Sequence, residues 1–431
     1  MAIPGMRSLF FAKGEWIMGL GPSTKMTTKF HMNCPVTRCV LGEKGADCAG
    51  ILVNGVSERY EDKRFTAEWT GELAAALGAD GALVITDGWG NHHIDFTSVI
   101  EALGRRGIPA VGLSYIGLQG RLVCTNPYVG TLIDFNKHAS GYESCIVGDN
   151  NLDDLDALKA VKILLRQIAK QGGAHRFSLS GPSAPIAQVG QAGYRVALAS
   201  LAGQTAFSHH QLTVDAALAD RARALSPYIE AVTIRILTPS QCHVRVNSNV
   251  DCLPVAVKIA GPLGQGQTRI LDGLSVWVTA ADSQGSQPHN IGSSEGFLDE
   301  RVVFGQTGTP GKDDILLHID VTLAPGEADT VRGIRAAHAA ADTVVQAVRQ
   351  AVAATNDTPD CHRVLTWQGR PGAPRLIIVK IVSALGAMYD TALFPNQPAG
   401  FLGSRCLFGG LTFPVFLTPL QVLDGAIHAM V

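Results

Sequence analysis

Gly81-Ala-Leu-Val-Ile-Thr-Asp-Gly-Trp-Gly-Asn-His-His-Ile-Asp-Phe96, continued through Leu103 to Pro109-Ala-Val-Gly-Leu113, decides the fold. Gly81 to Thr86 is an apolar run of strand length. Phe96 to Leu103 carries apolar residues at helical spacing, and Pro109 to Leu113 is strand-like again. Strand, loop, helix and strand in that order predict a βαβ unit with parallel strands covered by helices on both faces. Upstream, Cys48 to Gly55 reads as a buried strand and Arg64 to Leu77 as a helix. Downstream, Asn151 to Lys170 opens acidic and closes on Lys170 and Gly172, the signature of one complete helix.

Beyond this unit, Gly172 to about Ser208 is rich in Gly, Ser, Ala and Gln with weak periodicity, which predicts a linker. The second half alternates strand-like stretches (Ala231–Leu237, Pro254–Ile259, Leu274–Thr279, Ile315–Leu323) with turns. It then runs into a long Ala- and Val-rich helix from Thr330 to Ala354 and late strands at Arg375–Lys380 and Pro414–Leu417. The expected class is α/β: an N-terminal parallel-sheet α/β domain (18–172), a linker region (173–225) and a C-terminal mixed α+β domain (226–431).

Composition excludes several functions. The 431 residues are 46% hydrophobic and 17% charged, too apolar for a disordered chain. Lys and Arg number 35 against 37 Asp and Glu, and no block of five like charges occurs, so no nucleic-acid partner is expected. The longest apolar runs, such as Leu376–Val382 with Lys380 inside it, fall short of the roughly 18 residues of a membrane span. The stretch Met1–Gly21 has Arg7, Lys13 and Glu15 among its apolar residues and no cleavage site, so a cytoplasmic protein is expected, with Met18 a candidate start. Nine cysteines (Cys34, Cys39, Cys48, Cys124, Cys145, Cys242, Cys252, Cys361, Cys406) are too sparse for a disulfide framework. The Cys34, Cys39 and Cys48 spacing fits no common zinc pattern, and no metal site is expected.

Generic motifs fail on context. Gly292-Ser-Ser-Glu-Gly296 fits G-x-S-x-G, but no apolar strand precedes it as a nucleophile elbow requires. Gly305 to Lys312 is one residue too long for a phosphate loop, and Asp313 stands where a Ser or Thr should hold magnesium. Gly264-Gln-Gly266 lacks the third glycine of a dinucleotide fingerprint.

The loop Gly88 to Phe96 is more informative. It follows a strand of an open α/β sheet, where ligands bind. Asn91, His92, His93 and Asp95 could hold a polar substrate or move protons near neutral pH; the alternative is a helix cap at Asp95 with solvated histidines. In the second half, Gln265, Thr268 and Arg269, and Ser293, Ser294 and Glu295, crowd glycine-rich turns. Arg269 suits a carboxylate clamp or an ion pair with Asp272. His338 and Asp342, four apart on the long helix, could share a proton or simply stabilise it. Cys252, at a strand start, reads first as an inert buried thiol.

Taken together, Gly88-Trp-Gly-Asn-His-His-Ile-Asp-Phe, Arg105-Arg-Gly-Ile-Pro-Ala-Val-Gly-Leu-Ser, Gly264-Gln-Gly-Gln-Thr-Arg-Ile-Leu-Asp-Gly, Gly292-Ser-Ser-Glu-Gly, Ala336-Ala-His-Ala-Ala-Ala-Asp, Gly386-Ala-Met-Tyr-Asp and Pro419-Leu-Gln-Val-Leu-Asp-Gly resemble the glycine/sarcosine/betaine reductase component B family, D-proline reductase proproteins included. The motifs extend over most of the chain. The resemblance implies an oxidoreductase subunit that cleaves a C–N bond of proline or a related amino acid reductively, with a thiol- or selenol-bearing partner subunit and a homo- or hetero-oligomeric assembly. It also implies that the Gly88–Phe96, Gln265–Arg269 and Ser293–Gly296 segments converge on an amino-acid substrate. Arg269 would hold the carboxylate, with Asn91, Gln265, Thr268 and Ser294 as further binding groups. His92 or His93 would transfer protons, and Asp95 or Glu295 would orient them. Two departures stand out. The halves are in swapped order relative to the proprotein, and Gly19 occupies the position of the family's pyruvoyl-forming cysteine. Glycine cannot become a pyruvoyl group, so either Cys252, Cys242 or Cys34 would take that role or the protein uses no pyruvoyl group at all; the alternative to the enzyme is a non-catalytic binding or assembly paralogue of the family.

Overall fold

The computed structural model describes residues 34–55, 60–86, 91–114, 117–136, 152–172, 187–286, 295–305, 311–328, 330–382, 392–393, 401–402 and 414–425. The deciding stretch forms strand Gly81–Thr86, helix Asn91–Arg105 and strand Ala110–Ser114, and the two strands pair in parallel. They belong to a six-stranded sheet in the order Val415–Leu417, Asp47–Gly55, Arg375–Val382, Gly81–Thr86, Ala110–Ser114, Leu132–Asp134, parallel except at the Val415–Leu417 edge. Side chains alternate along its strands. Ile51, Val53, Leu83, Ile85, Leu376 and Ile378 pack with helices Pro35–Gly42 and Asp154–Lys170. Leu52, Val84, Ile377 and Val379 pack with Tyr60–Ala76 and Asn91–Arg105. Helix Asp154–Lys170 starts on a reciprocal cap between Asp153 and Asp156, as its acidic opening predicts.

The sheets do not follow the boundaries expected from sequence. Arg375–Val382 and Val415–Leu417 lie in the first sheet, although the sequence places them in the second unit. Leu376–Val382 is apolar on both faces apart from Lys380, the pattern of a central strand covered on both sides. It takes that position between Asp47–Gly55 and Gly81–Thr86. The expected linker is also partly structured. Residues 173–186 lie outside the described residues, but Ala187–Arg195, Leu198–Ala202, Ala206–Ser208 and Gln211–Asp215 are strands. Ala187–Arg195 runs between two neighbours, where a Cβ on Gly193 would come within 2.5 Å of Cys361 Sγ and 2.7 Å of Asp272 Oδ2. Weak periodicity here marks a demand for small residues.

A four-stranded sheet follows, in the order Ser248–Leu253, Leu274–Asp282, Ile315–Leu323, Ile229–Leu237, covered on one face by helix Val331–Ala354. Another combines Ala256–Ala260, Gly266–Asp272, Ala187–Arg195 and Cys361–Trp367. Asp424, after the short helix Pro419–Leu423, ties this sheet to the chain's last described segment. Its carboxylate accepts from Lys258 Nζ at 2.7 Å, from Gly264 N at 2.6 Å and from the Thr268 hydroxyl. Gln191 Nε2 donates to the Leu423 and Asp424 carbonyls at 2.7 and 3.1 Å. Two of the sequence motifs, Gly264–Gly273 and Pro419–Gly425, thus meet at one buried carboxylate.

Removing that carboxylate strands the Lys258 ammonium in a largely buried site. Asp424→Ala is expected to lower unfolding free energy by about 3–5 kcal/mol in urea titrations. A loss below about 1 kcal/mol would show that the cluster does not hold the segment.

Candidate functional site at the carboxyl edge of the first sheet

Helix Asn91–Arg105 begins earlier than the sequence predicts: its first turn already contains His92 and His93, and Asp95 follows inside the helix, so Asp95 is not its cap. All three are buried, with exposures of 0%, 1% and 3%. The turn stands directly beyond strand Gly81–Thr86, at the carboxyl edge of the parallel sheet. Opposite it, helix Tyr60–Ala76 buries Lys63, Thr66, Ala67, Thr70 and Ala74, a stripe of mostly small residues at helical spacing. Lys63 closes an ion pair with Asp95 Oδ2, both side chains being almost completely shielded from water. Asp95 Oδ1 is buried with no hydrogen-bond partner. Burial pushes the Asp95 carboxyl up from the usual aspartate value, and the Lys63 charge and hydrogen bond oppose that rise, with a smaller contribution from His92. Asp95 and His92, three apart, share a helix face.

His93 points elsewhere. Its ring lies 5.4 Å from that of Phe96 and sits against Gly120, where any Cβ would overlap it. Burial drives its pKa down to about 4, partly offset by a hydrogen bond with the Cys124 backbone. The imidazole is therefore neutral at pH 7. Cys124 sits beside it, its Sγ 2.8 Å from the Thr97 hydroxyl, and burial raises the thiol above its usual value. Asn54 Nδ2 donates to Thr70 Oγ1 at 2.8 Å at the end of the neighbouring strand. On the sheet's other face, Lys380 is wholly buried and forms a hydrogen bond with the Cys34 thiol. Burial raises that thiol, but the Lys380 charge and Thr37 outweigh it and bring Cys34 below its usual value.

Arg269, Thr268, Gln265, Glu295 and Cys252 belong to other elements of the fold. Arg269 Nη1 donates to the carbonyls of Val352, Ala353 and Thr355 at 2.9, 3.1 and 2.8 Å, and the guanidinium lies 5.4 Å over the Tyr194 ring. It caps the C-terminus of helix Val331–Ala354 and pairs with no carboxylate among the described residues. Thr268 is committed to Asp424, and Gln265 sits in the adjoining turn. Glu295 precedes the two-residue strand Gly296–Phe297, with Oε2 buried and unpartnered. Cys252 is buried opposite Trp277 in the four-stranded sheet. Ser293 and Ser294 lie outside the described residues, and Asn91 is described only as the first residue of its helix. Asp342 pairs with Arg349 and Gln346.

Sequence reasoning missed Lys63, Cys124 and a network on the four-stranded sheet. Thr279 Oγ1 donates to Asp320 at 2.6 Å and lies 2.8 Å from His318 Nε2, while Asn247 Nδ2 donates to Asp320 at 3.0 Å. Because the Thr279 proton goes to Asp320, its oxygen accepts from His318 Nε2–H. Burial holds His318 neutral, with a pKa of about 4. The 66/67, 70, 74 stripe leads back to positions 62 and 63, and both Asp62 and Lys63 are buried. No described group of His, Cys, Asp and Glu could hold a metal.

Residues 17–149 match the model of the glycine/sarcosine/betaine reductase component B subunits. The D-proline reductase proprotein PrdA of Acetoanaerobium sticklandii is 33% identical over 229 residues, 53% of this chain and 36% of that protein. The betaine reductase complex component B subunit alpha of Peptoclostridium acidaminophilum is 28% identical over 148 residues, 34% of this chain and 31% of its own. The glycine reductase complex component B subunits alpha and beta of A. sticklandii are 30% identical over 100 residues, 22% of this chain and 23% of theirs. These matches span about a third or less of each relative's length. No solved structure matches significantly.

Two measurements test the site. Asp95→Asn leaves the Lys63 ammonium buried without its counter-charge and should cost about 3–5 kcal/mol in urea titrations, whereas Lys63→Met/Asp95→Leu together should be neutral or stabilising. Equal losses in both would show that the pair is not desolvated. The second concerns pH. With a folded pKa of about 4 against an ordinary 6.5, His93 contributes stability that is complete above pH 6.5. The contribution is lost as pH falls to about 4, on the order of 3 kcal/mol. Subtracting the profile of His93→Gln from that of the parent should reveal this slope; superimposable profiles would contradict the burial of His93. From residues 17–149 and from its curated relatives, the chain resembles the glycine/sarcosine/betaine reductase component B subunits.

Proposed function

We propose that this chain is a subunit of a reductase complex that cleaves a C–N bond of an amino acid, and that Lys63, Asp95 and His92 handle the proton at the reacting nitrogen. One observation carries the reading: within the segment that matches the family, Asp95 keeps one buried carboxylate oxygen without a partner beside a buried ammonium. Such an oxygen accepts from, or once protonated donates to, a ligand nitrogen. Its raised pKa keeps the proton transferable. The curated relatives are named as reductases of D-proline, betaine and glycine.

Reductive C–N cleavage consumes two electrons and two protons: carbon gains a hydrogen and the nitrogen leaves as an amine. A dithiol, or a thiol and a selenol, on a partner subunit supplies the electrons and ends as a disulfide or selenenyl sulfide. This chain's part is to bind and to move protons. The pyruvoyl group implied by the resemblance does not fit the described cysteines. Cys252 is wholly buried within the paired strand Ser248–Leu253, and Cys242 is buried after the turn Pro239–Gln241. Cys34 engages Lys380, and Gly19 lies outside the described residues. No step is routed through that group. Gly19 favours a second reading, a binding or assembly paralogue.

The test incubates the chain with a thiol- or selenol-bearing partner and dithiothreitol, offering D-proline, glycine, sarcosine and betaine in turn, and reads amine-containing product. The parent is expected to turn over one of them. Lys63→Met/Asp95→Leu should retain the fold and lose about 100-fold or more. Undiminished turnover in that variant would remove the pair from the mechanism, and substrate binding without turnover in the parent would favour the paralogue.

A further inference from the structure

Helix Val331–Ala354, capped by the Thr330 hydroxyl, carries the buried stripe His338, Asp342, Val345 and Arg349 at four-, three- and four-residue spacing along one flank. This is the Ala-Ala-His-Ala-Ala-Ala-Asp motif and its continuation, which the first-sheet site leaves unused. Asp342 Oδ1 accepts from Gln346 Nε2 at 3.0 Å and from Arg349 Nη1 at 3.2 Å. Arg349 is 2% exposed, yet its Nε and Nη2 are buried with no hydrogen-bond partner. These two nitrogens form one edge of the planar guanidinium and direct parallel N–H bonds, the spacing that fits both oxygens of a single carboxylate. Arg269 and Arg370, by contrast, spend their donors on backbone carbonyls. Among the described residues, Arg349 alone leaves that edge buried and empty-handed.

We propose that Arg349 is the recognition group of a second binding site, which takes a small carboxylic acid side-on at Nε and Nη2. Asp342, on Nη1, fixes the plane of the fork. Burial depresses the Arg349 pKa to about 9 with Asp342 opposing that fall, so the group is charged at pH 7. A carboxylate at the open edge would replace the hydration this guanidinium has lost. The inference is independent of the reductase reading, because it concerns binding alone on a different helix.

The experiment is calorimetric titration and thermal shift of the full chain with D-proline against D-prolinamide, and acetate against acetamide. Each acid is expected to bind at least about tenfold more tightly than its amide and to raise Tm. Arg349→Gln should bring acid and amide within about twofold, and Arg349→Lys should weaken the acid about fivefold or more through loss of the fork. Asp342→Leu/Arg349→Met, which removes both charges of the buried pair, should keep the parent's Tm without ligand and lose the acid preference, which separates lost binding from lost folding. Acid and amide binding alike in the parent, no binding of either acid, or an undiminished preference in Arg349→Gln would overturn the proposal. So would an oligomer that dissociates on Arg349→Gln while free acids have no effect, because the carboxylate would then come from a protein chain.

Discussion

Two ammonium groups, those of Lys63 and Lys380, are removed from water at the carboxyl edge of one parallel sheet, and much of the surrounding structure answers that constraint. Each would cost several kcal/mol to bury alone. Lys63 meets Asp95 only because helices Tyr60–Ala76 and Asn91–Arg105 lie side by side on the same sheet face. Lys380 reaches the edge only because strand Arg375–Val382 is inserted between Asp47–Gly55 and Gly81–Thr86. A strand contributed from nearly 300 residues downstream of Gly81 makes the first sheet depend on both ends of the described chain.

That dependence bears on the resemblance. The family model matches residues 17–149 alone, and this stretch supplies four of the six strands. The central strand and an edge strand come from the other half, and the Asp424 cluster ties the segment after that edge strand to the sheet holding Gly266–Asp272. Motifs that look scattered along the chain, Gly264–Gly273 and Pro419–Gly425 among them, are neighbours in space. Their joint occurrence therefore records packing as much as chemistry.

The fold was legible where periodicity reflects burial. Gly81–Thr86, Ala110–Ser114, Asp154–Lys170, Ile315–Leu323 and the long helix match the pattern of their apolar residues. It was not legible where tertiary pairing decided. Nothing local tells strand Arg375–Val382 which sheet to join, and the small residues of 187–202 hide strands behind a linker-like composition. At the proposed site, the double histidine and Asp95 pointed to the carboxyl edge of the sheet, where all three side chains are buried. Lys63 was obscured because Glu61, Asp62, Lys63 and Arg64 read as a solvated charge run, although the stripe of small residues behind them leads back to Asp62 and Lys63, both of which turn inward. Arg269 misled because a guanidinium in a glycine-rich turn looks the same whether it meets a carboxylate or the carbonyls at a helix end.

The central claim is that the Asp95 carboxyl is held out of water by the sheet edge and kept ionisable by Lys63. The direct measurement is a carboxyl-selective NMR titration of Asp95 in the full chain and again in Lys63→Met. Asp95 should titrate above the ordinary aspartate value of 3.8 in the parent, and higher still once the Lys63 charge is gone. An ordinary value that does not respond to Lys63 would contradict the account.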